Sequence, residues 1–313
     1  MNQFDAIILV TKEHLPMLKK MLPYCKKNVE PKNVYVIAPS GMQSSVEEIQ
    51  DVIYVDESTI YPGLNFNTIQ DMIERITGER KRAGWYLQQF LKMAWAYKCD
   101  DSCYVTIDAD TFILNPVSFV SDDNKYQFTP KTEYHQPYFD TLKKLFNNRV
   151  KREKNCSFIA ENMVFDCKIM REMIAEIEAN KKLPGHVFFE KILYAINPND
   201  MLWSGFSEFE TYGNYMFSKY PEKVMLRPLR TQREALVILG GHPTKEQLDW
   251  AARDYDVISV ESARYPDNVL TRLTTKKWFR NLFRMSKVAK IRHDIRSVYR
   301  RIIGKEDFQF EEY

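Results

Sequence analysis

Two aspartates, Asp108 and Asp110, stand two residues apart at the end of the apolar run Tyr104–Ile107, in the stretch YVTIDADTFIL (104–114). Charged side chains are almost never fully buried without a partner, so either the strand stops at the pair or a cation meets it. Residues i and i+2 of a strand face one side, which would aim both carboxylates into one space. Two carboxylates that close repel unless a proton or a cation lies between them. Hard oxygen donors suit Mg²⁺ or Mn²⁺, ions that usually hold substrate phosphates as well. A solvated strand end, with Asp110 capping a turn toward Asn115-Pro116, accounts for the same residues without any chemistry.

The elements that must position this pair read as alternating strands and helices. FDAIILV (4–10), VYVIAP (34–39) and VIYVDE (52–57) have strand character; EHLPMLKKMLPYC (13–25) and SSVEEIQ (44–50) have helical patterns. Such alternation predicts a largely parallel sheet. Ligands of such sheets gather at strand C-termini, here Thr11-Lys12, Ala38-Pro39 and Asp56-Glu57. A helix is expected near 67–77. WYLQQFLKMAWAY (85–97) is the strongest helical stretch, with Leu87, Phe90, Leu91, Ala94 and Tyr97 in one apolar stripe. Residues 121–138 are polar and aromatic without a period and read as long loops. CSFIAENMVFD (156–166) reads as a strand, followed by helices near 167–181 and 186–196. In 204–220, Ser207 and Glu210 have capping-box spacing at a helix start. LVILGGHPTKEQLDWAARDY (236–255) reads as a strand, a Gly-Gly turn and a helix capped by Thr244.

At 313 residues, 44% hydrophobic and 28% charged, the chain suits one large α/β domain with an appendage, or two modest domains. Five cysteines without framework spacing predict reduced thiols. The start MNQFDAIILV lacks the basic lead of a signal peptide, and no apolar run approaches the roughly 18 residues of a membrane span. The expected location is the cytoplasm, or a membrane face that the chain does not cross. The net charge of +3 is uneven: between 276 and 301, ten Lys and Arg face only Asp294, which leaves the rest of the chain acidic. Trp278, Leu282, Met285, Ile291, Ile295, Val298 and Ile302 recur there at three- and four-residue spacing, with basic residues between. That pattern fits an anionic membrane surface. Packing on the body, nucleic-acid binding and a dimer seam are the competing readings.

Around the aspartate pair the chain resembles the GT-A class of nucleotide-sugar glycosyltransferases, and within it a group of bacterial sequences. The matching pieces are GWYLQQFLKM (84–93), DADTFIL (108–114), YHQPYF (134–139), FIAENMVFD (158–166) and SEFETYGNY (207–215). They occur in the order that family shows, and the resemblance runs from the N-terminal strand to about residue 220. It implies a nucleotide diphosphate under the sheet edge, with a metal on Asp108 and Asp110 bridging its phosphates. It implies Thr11, Lys12 and Asp56 near the base or ribose. Lys92, with Gln88 on the same helical face, would add positive charge for the leaving diphosphate. His135, Glu161 and Asn162 would lie near sugar and acceptor, where Tyr134, Tyr138 and Trp203 can stack on pyranose faces. An inverting transferase needs a carboxylate to take the acceptor's proton. Glu210 already has the capping box, so Glu208 is the candidate base. Some members complete the metal shell with a histidine from the C-terminal half. His242 in GGHPT could do so, although its local sequence departs from their pattern and suits a plain turn.

These readings predict a GT-A-like α/β fold, a mixed and mainly parallel sheet flanked by helices, over 1–265, with a basic helical tail over 266–313. The expected activity is transfer of a sugar from a nucleotide-diphosphate donor, a UDP-sugar, to a saccharide acceptor with Mn²⁺ or Mg²⁺, with inversion favoured. The expected setting is bacterial surface polysaccharide (lipopolysaccharide, O-antigen or capsule) built on a lipid carrier at the inner face of the membrane, with no nucleic-acid partner. A nucleotidyltransferase would use the same carboxylate–metal–phosphate chemistry, but the N-terminal strand lacks the Gly-rich loop such enzymes place there. A non-enzymatic membrane- or nucleic-acid-binding protein would make the aspartate pair structural.

Overall fold

The computed structural model describes residues 4–261 and 268–302. In chain order its strands are β1 (Asp5–Leu9), β2 (Val34–Ala38), β3 (Ile53–Asp56), β4 (Cys103–Ile107), β5 (Thr111–Ile113), β6 (Tyr126–Phe128), β7 (Asn162–Asp166), β8 (Val224–Leu226), β9 (Thr231–Gln232) and β10 (Val257–Ser259). Five of them form one sheet in the order β3-β2-β1-β4-β7. Its first four strands run parallel, and β7 is antiparallel to β4. This is the mixed, mainly parallel sheet that the strand–helix alternation predicts. All five residues of β4 are buried. A strand covered on both faces reads as a continuous apolar run, which is why YVTI stands out in the sequence.

The described residues divide into two compact units. The first comprises the described residues up to Val10, Pro31–Ile107 and Phe119–Arg227. It holds the five-stranded sheet, the parallel pair β6-β8 and the helices Phe66–Thr77, Ala83–Ala94, Gln136–Leu145, Cys167–Glu178, Phe188–Ala195 and Glu208–Lys219. Asn65, Asp166 and Ser207 each cap one of these helices by accepting a backbone N–H in its first turn. Helix Ala83–Ala94 buries Tyr86, Leu87, Phe90 and Leu91, and the Phe90 ring meets those of Phe188, Phe189 and Phe206. Tyr97, placed on the same stripe by periodicity, instead ends a 3₁₀ turn (Trp95–Tyr97) and is 44% exposed. The tighter turn rotates it off the buried face.

The second unit comprises Thr11–Glu30, Asp108–Ser118 and the described residues from Pro228 onward. Its sheet has the order β5-β10-β9. Helix Leu15–Val29 turns Met17, Leu18, Met21, Leu22 and Cys25 inward, and Asn28 Nδ2 donates to Ile113 O at 2.7 Å. Helix Lys245–Ala251 begins with a complete capping box between Thr244 and Gln247. The basic segment forms three helices, Val269–Thr274, Lys277–Leu282 and Met285–Ile302. The expected domain boundary at 265–266 and the last residues of the tail, 303–313, lie outside the described residues. Among the described residues no helix is long and apolar enough to cross a membrane.

Three further sequence expectations change. The run Leu236–Leu239, read as a strand, is a helical turn ended by Gly240 at φ 81°. Four apolar residues fit either period, and what separates them is the positive-φ glycine at which the turn stops. Residues 121–138 contain β6 and the start of helix Gln136–Leu145 rather than loops alone, because the partner of β6 is Val224–Leu226, nearly a hundred residues on. In CSFIAENMVFD only Asn162–Asp166 is strand; Ser157 makes an isolated bridge with Lys131.

Helix Glu208–Lys219 admits the Phe158 ring only because position 213 is glycine. A Cβ on Gly213 would meet Phe158 ring carbons at 2.4 Å, and that ring is stacked on Phe217. In an exposed helix, Gly→Ala stabilises by up to about 1 kcal/mol. Here Gly213→Ala should instead destabilise by about 1–3 kcal/mol, the usual cost of overpacking. Chemical denaturation of the variant measures it, and a gain in stability would show that Phe158 is free to move aside.

Candidate functional site

The strand stops at the aspartates. β4 ends at Ile107, and Thr111 N donates to Asp108 O at 3.0 Å, so Asp108–Asp110 form a turn into β5. The i, i+2 alternation of a strand therefore does not apply to the pair. Val260 N donates to Asp110 O, and Thr111 Oγ1 lies 2.9 Å from Ser259 Oγ, which ties the turn to β10. Both aspartates are half-buried. Mg²⁺ and Mn²⁺ are commonly held by one or two carboxylates plus phosphate and water oxygens, and the donor set of this turn fits such an ion. Among the described residues, no group of three or more His, Cys, Asp or Glu could hold a metal by itself. His242 is exposed just after the Gly240-Gly241 turn and does not complete a shell with the two aspartates.

In the first unit, Lys92 and Glu208 are brought together. Lys92 Nζ donates to Glu208 Oε1 at 2.9 Å, both residues are only 3% exposed, and the ammonium lies 4.4 Å from the Phe209 ring centroid. The case for Glu208 as base rested on its having no structural role, and the structure gives it one. Lys92 is likewise neither a solvent-facing lysine nor an exposed phosphate ligand. The sequence reading missed the pairing because 116 positions separate the partners.

Glu210 does not complete the expected capping box. Ser207 Oγ accepts from Glu210 N, but the Glu210 carboxylate turns inward and accepts from Ser157 Oγ, Phe158 N and Asn214 Nδ2. Burial raises its pKa, and these hydrogen bonds oppose the rise. Asn214 is fixed in this orientation, since its own Oδ1 accepts from Glu153 N. Glu161 is buried and ion-paired with Lys131 at 3.1 Å, a partner that sequence reasoning overlooked. Asn162 opens β7 opposite Ile107, and its buried Oδ1 has no hydrogen-bond partner among the described residues. A buried orphan acceptor of that kind calls for a donor from water or ligand.

His135 precedes helix Gln136–Leu145, with Nε2 2.7 Å from Ser204 O and its ring against Tyr138. The 201–205 loop is held from beneath: Tyr86 Oη donates to Met201 O, Gly205 N donates to Tyr86 Oη, and Thr141 Oγ1 donates to Gly205 O. Trp203 projects from this anchored loop, 76% exposed. Tyr134 stacks on Phe139, under the Arg152 guanidinium. Thr11 and Lys12 are exposed, and Thr11 Oγ1 is bonded to His14 Nδ1. Asp56 caps its own turn through Ser58 N and Oγ. Gln88 is half-buried on the Lys92 helix.

Fold and turn together define an α/β protein with an acidic turn at the exit of a central parallel strand. The chain belongs to the family of unknown function DUF6492, whose model matches residues 18–290. No curated protein matches it. Among solved structures it is similar to mouse xyloside xylosyltransferase 1 in its apo form, at 10% identity and a TM-score of 0.44, covering 85% of this chain and 100% of that one. It is also similar to the WbbM bifunctional glycosyltransferase, at 12% identity and a TM-score of 0.45, covering 86% of this chain and 47% of that one. A third is the galactosyltransferase LgtC in complex with donor and acceptor sugar analogs, at 9% identity and a TM-score of 0.41, covering 90% and 96%. These are distant likenesses.

Removing one member of a buried ion pair leaves the other charge uncompensated and costs about 3–5 kcal/mol, whereas replacing both with apolar residues is often neutral. Lys92→Met and Glu208→Leu should each lose stability on that scale, and the double variant should recover most of it. Additive losses in a denaturant double-mutant cycle would refute the coupling.

Proposed function

We propose that this chain is a glycosyltransferase, moving a sugar from a nucleotide-diphosphate donor to a saccharide acceptor. The observation that carries the reading is the acidic turn Asp108–Asp110 at the C-terminal end of β4, where parallel α/β sheets collect their ligands. The five motifs in GT-A order support it from the sequence side. Asp108 and Asp110 would hold Mg²⁺ or Mn²⁺, which when bound neutralises charge on the departing diphosphate. Thr11, Lys12, Asp56 and Gln88 are assigned to the nucleotide, with a UDP-sugar as donor. His135, Glu161 and Asn162 are assigned to sugar and acceptor: the orphan Asn162 Oδ1 can accept from a hydroxyl, and the exposed Trp203 offers a face for a pyranose. The acceptor is a lipid-linked saccharide of bacterial surface polysaccharide, and the basic tail rests on the anionic inner face of the membrane.

Asp110→Asn keeps the size of the side chain but weakens its hold on a divalent ion. It should abolish Mn²⁺-dependent binding of UDP, followed by calorimetry, and leave the melting curve unchanged. Equal UDP affinity in the two proteins, with and without chelator, would remove the metal–diphosphate site. A panel of other nucleotides then identifies the base.

Glu208 is retained as the base of an inverting displacement, with Lys92 as the counter-ion that holds it as carboxylate. Because Glu208 also neutralises a buried lysine, loss of turnover in a single variant has two explanations. The Lys92→Met/Glu208→Leu variant separates them: with the ion pair removed from both sides, turnover should stay down by about 10²–10⁴, the usual worth of a general base. Activity that returns with stability, or a product that retains configuration by NMR, would sink the assignment.

A further inference from the structure

The second unit carries two adjoining cavities on its last helices, of opposite character. One, about 340 Å³, is lined by Ser286, Lys290, Arg292, His293 and Arg296 of helix Met285–Ile302, with Gln232 and Glu234 from outside that helix. The other, about 320 Å³, is lined by Leu270, Phe279, Phe283, Val288, Ile291 and Ile295. Arg292 lines both and is the one polar residue of the apolar cavity. Helical spacing explains the division. Val288, Ile291 and Ile295 make one stripe of the helix, while Lys290, His293 and Arg296 make the next, with Arg292 at the seam.

The tail is partly docked and partly bare. Phe279, Met285 and Val288 are buried, Trp250 Nε1 donates to Phe283 O, and Arg284 Nε donates to Asp254. The membrane-facing stripe expected from periodicity therefore loses Met285, which is an internal anchor. Leu282, Ile291, Ile295 and Val298 remain 71%, 56%, 65% and 56% exposed. Such a patch marks an interaction surface. Its rim is cationic, so the partner must be apolar and anionic at once. Glu234 accepts from Arg292 and Arg296, but these are exposed contacts of little individual worth. A doubly charged phosphate can displace them, with three cations against one carboxylate.

We infer that this pair of cavities is a binding site for a single phosphate-headed lipid, its phosphate among Lys290, Arg292 and Arg296 and its hydrocarbon chain along Phe279, Phe283, Ile291 and Ile295. Charge complementarity selects the head and the unbroken apolar lining selects the chain; an anion alone leaves the second cavity without a purpose. The site goes beyond general attraction of the tail to an anionic surface, and it does not depend on the sugar-transfer reading.

The test uses the full-length chain and short-chain phosphatidic acid below its micelle concentration, with calorimetry as readout. Binding of one molecule per chain is expected, weakened about tenfold or more by Arg292→Gln, Arg296→Gln and Ile295→Asp. All three positions are solvent-accessible, so folding should survive, as checked by circular dichroism. Lys276→Gln and Lys277→Gln remove the same charge outside both cavities and should leave this binding nearly unchanged. On phosphatidylcholine vesicles doped with phosphatidic acid, surface attraction alone predicts equal losses for all four basic substitutions, about fivefold each from about 1 kcal/mol per residue. That equality would overturn the site. Inorganic phosphate binding as tightly as the lipid would also overturn it, reducing the site to an anion contact. So would a dimer in sedimentation that Ile295→Asp dissociates, since a second copy would then cover the groove.

Discussion

Burial of β4 on both faces governs where this protein can put charge. With β1 and β7 on either side and all five of its residues buried, the strand has no place for an ionised group. A carboxylate there would lose its hydration with nothing to replace it. The first charged residue therefore comes where the strand ends, at Asp108, and the chain turns at once through Asp110 into β5. The acidic turn thus follows directly on the last buried residue of the strand.

The interior of the first unit solves the opposite problem, since it does bury charge. Lys92 with Glu208, Lys131 with Glu161, and Lys191 donating to the carbonyls of Asn180 and Leu183 are each satisfied at close range. Such groups contribute little net stability compared with apolar replacements. What they do is fix position. Glu208 locks the start of its helix to helix Ala83–Ala94, and Glu210 locks the next turn to the Ser157–Phe158 backbone. The loop bearing Trp203 is held in the same manner by Tyr86 and Thr141. An exposed aromatic on an anchored loop is preorganised, so little ordering entropy remains to be lost when a ligand stacks on it.

The second unit shows how one amphipathic segment serves two surfaces. Residues buried against Trp250 and the Asp254 loop hold the segment down, and the remaining apolar positions stay bare among arginines and lysines. Met285, Val288, Ile291, Ile295 and Val298 follow one another at three- and four-residue spacing, yet the first two are buried and the last three exposed. Periodicity assigns a residue to a stripe, but it does not say which stripe meets protein and which meets something else.

The sequence alone determined the α/β class, the mainly parallel sheet, the principal strands and helices, and the Ser207 and Thr244 caps; whether β4 stopped at the aspartates it left open. These follow from local patterns: uninterrupted apolar runs, helical spacing, and short polar residues at helix starts. The errors came where local signals are degenerate or partners are distant. Leu236–Leu239 fits two periods, and Tyr126–Phe128 becomes a strand only because Val224–Leu226 lies beside it. The pairing of Lys92 with Glu208, the inward turn of Glu210 and the Lys131–Glu161 bridge were tertiary decisions. An ionisable side chain has no periodic signature of its own; whether it faces water, a ligand or a counter-charge depends on what the fold brings within about 3 Å of it.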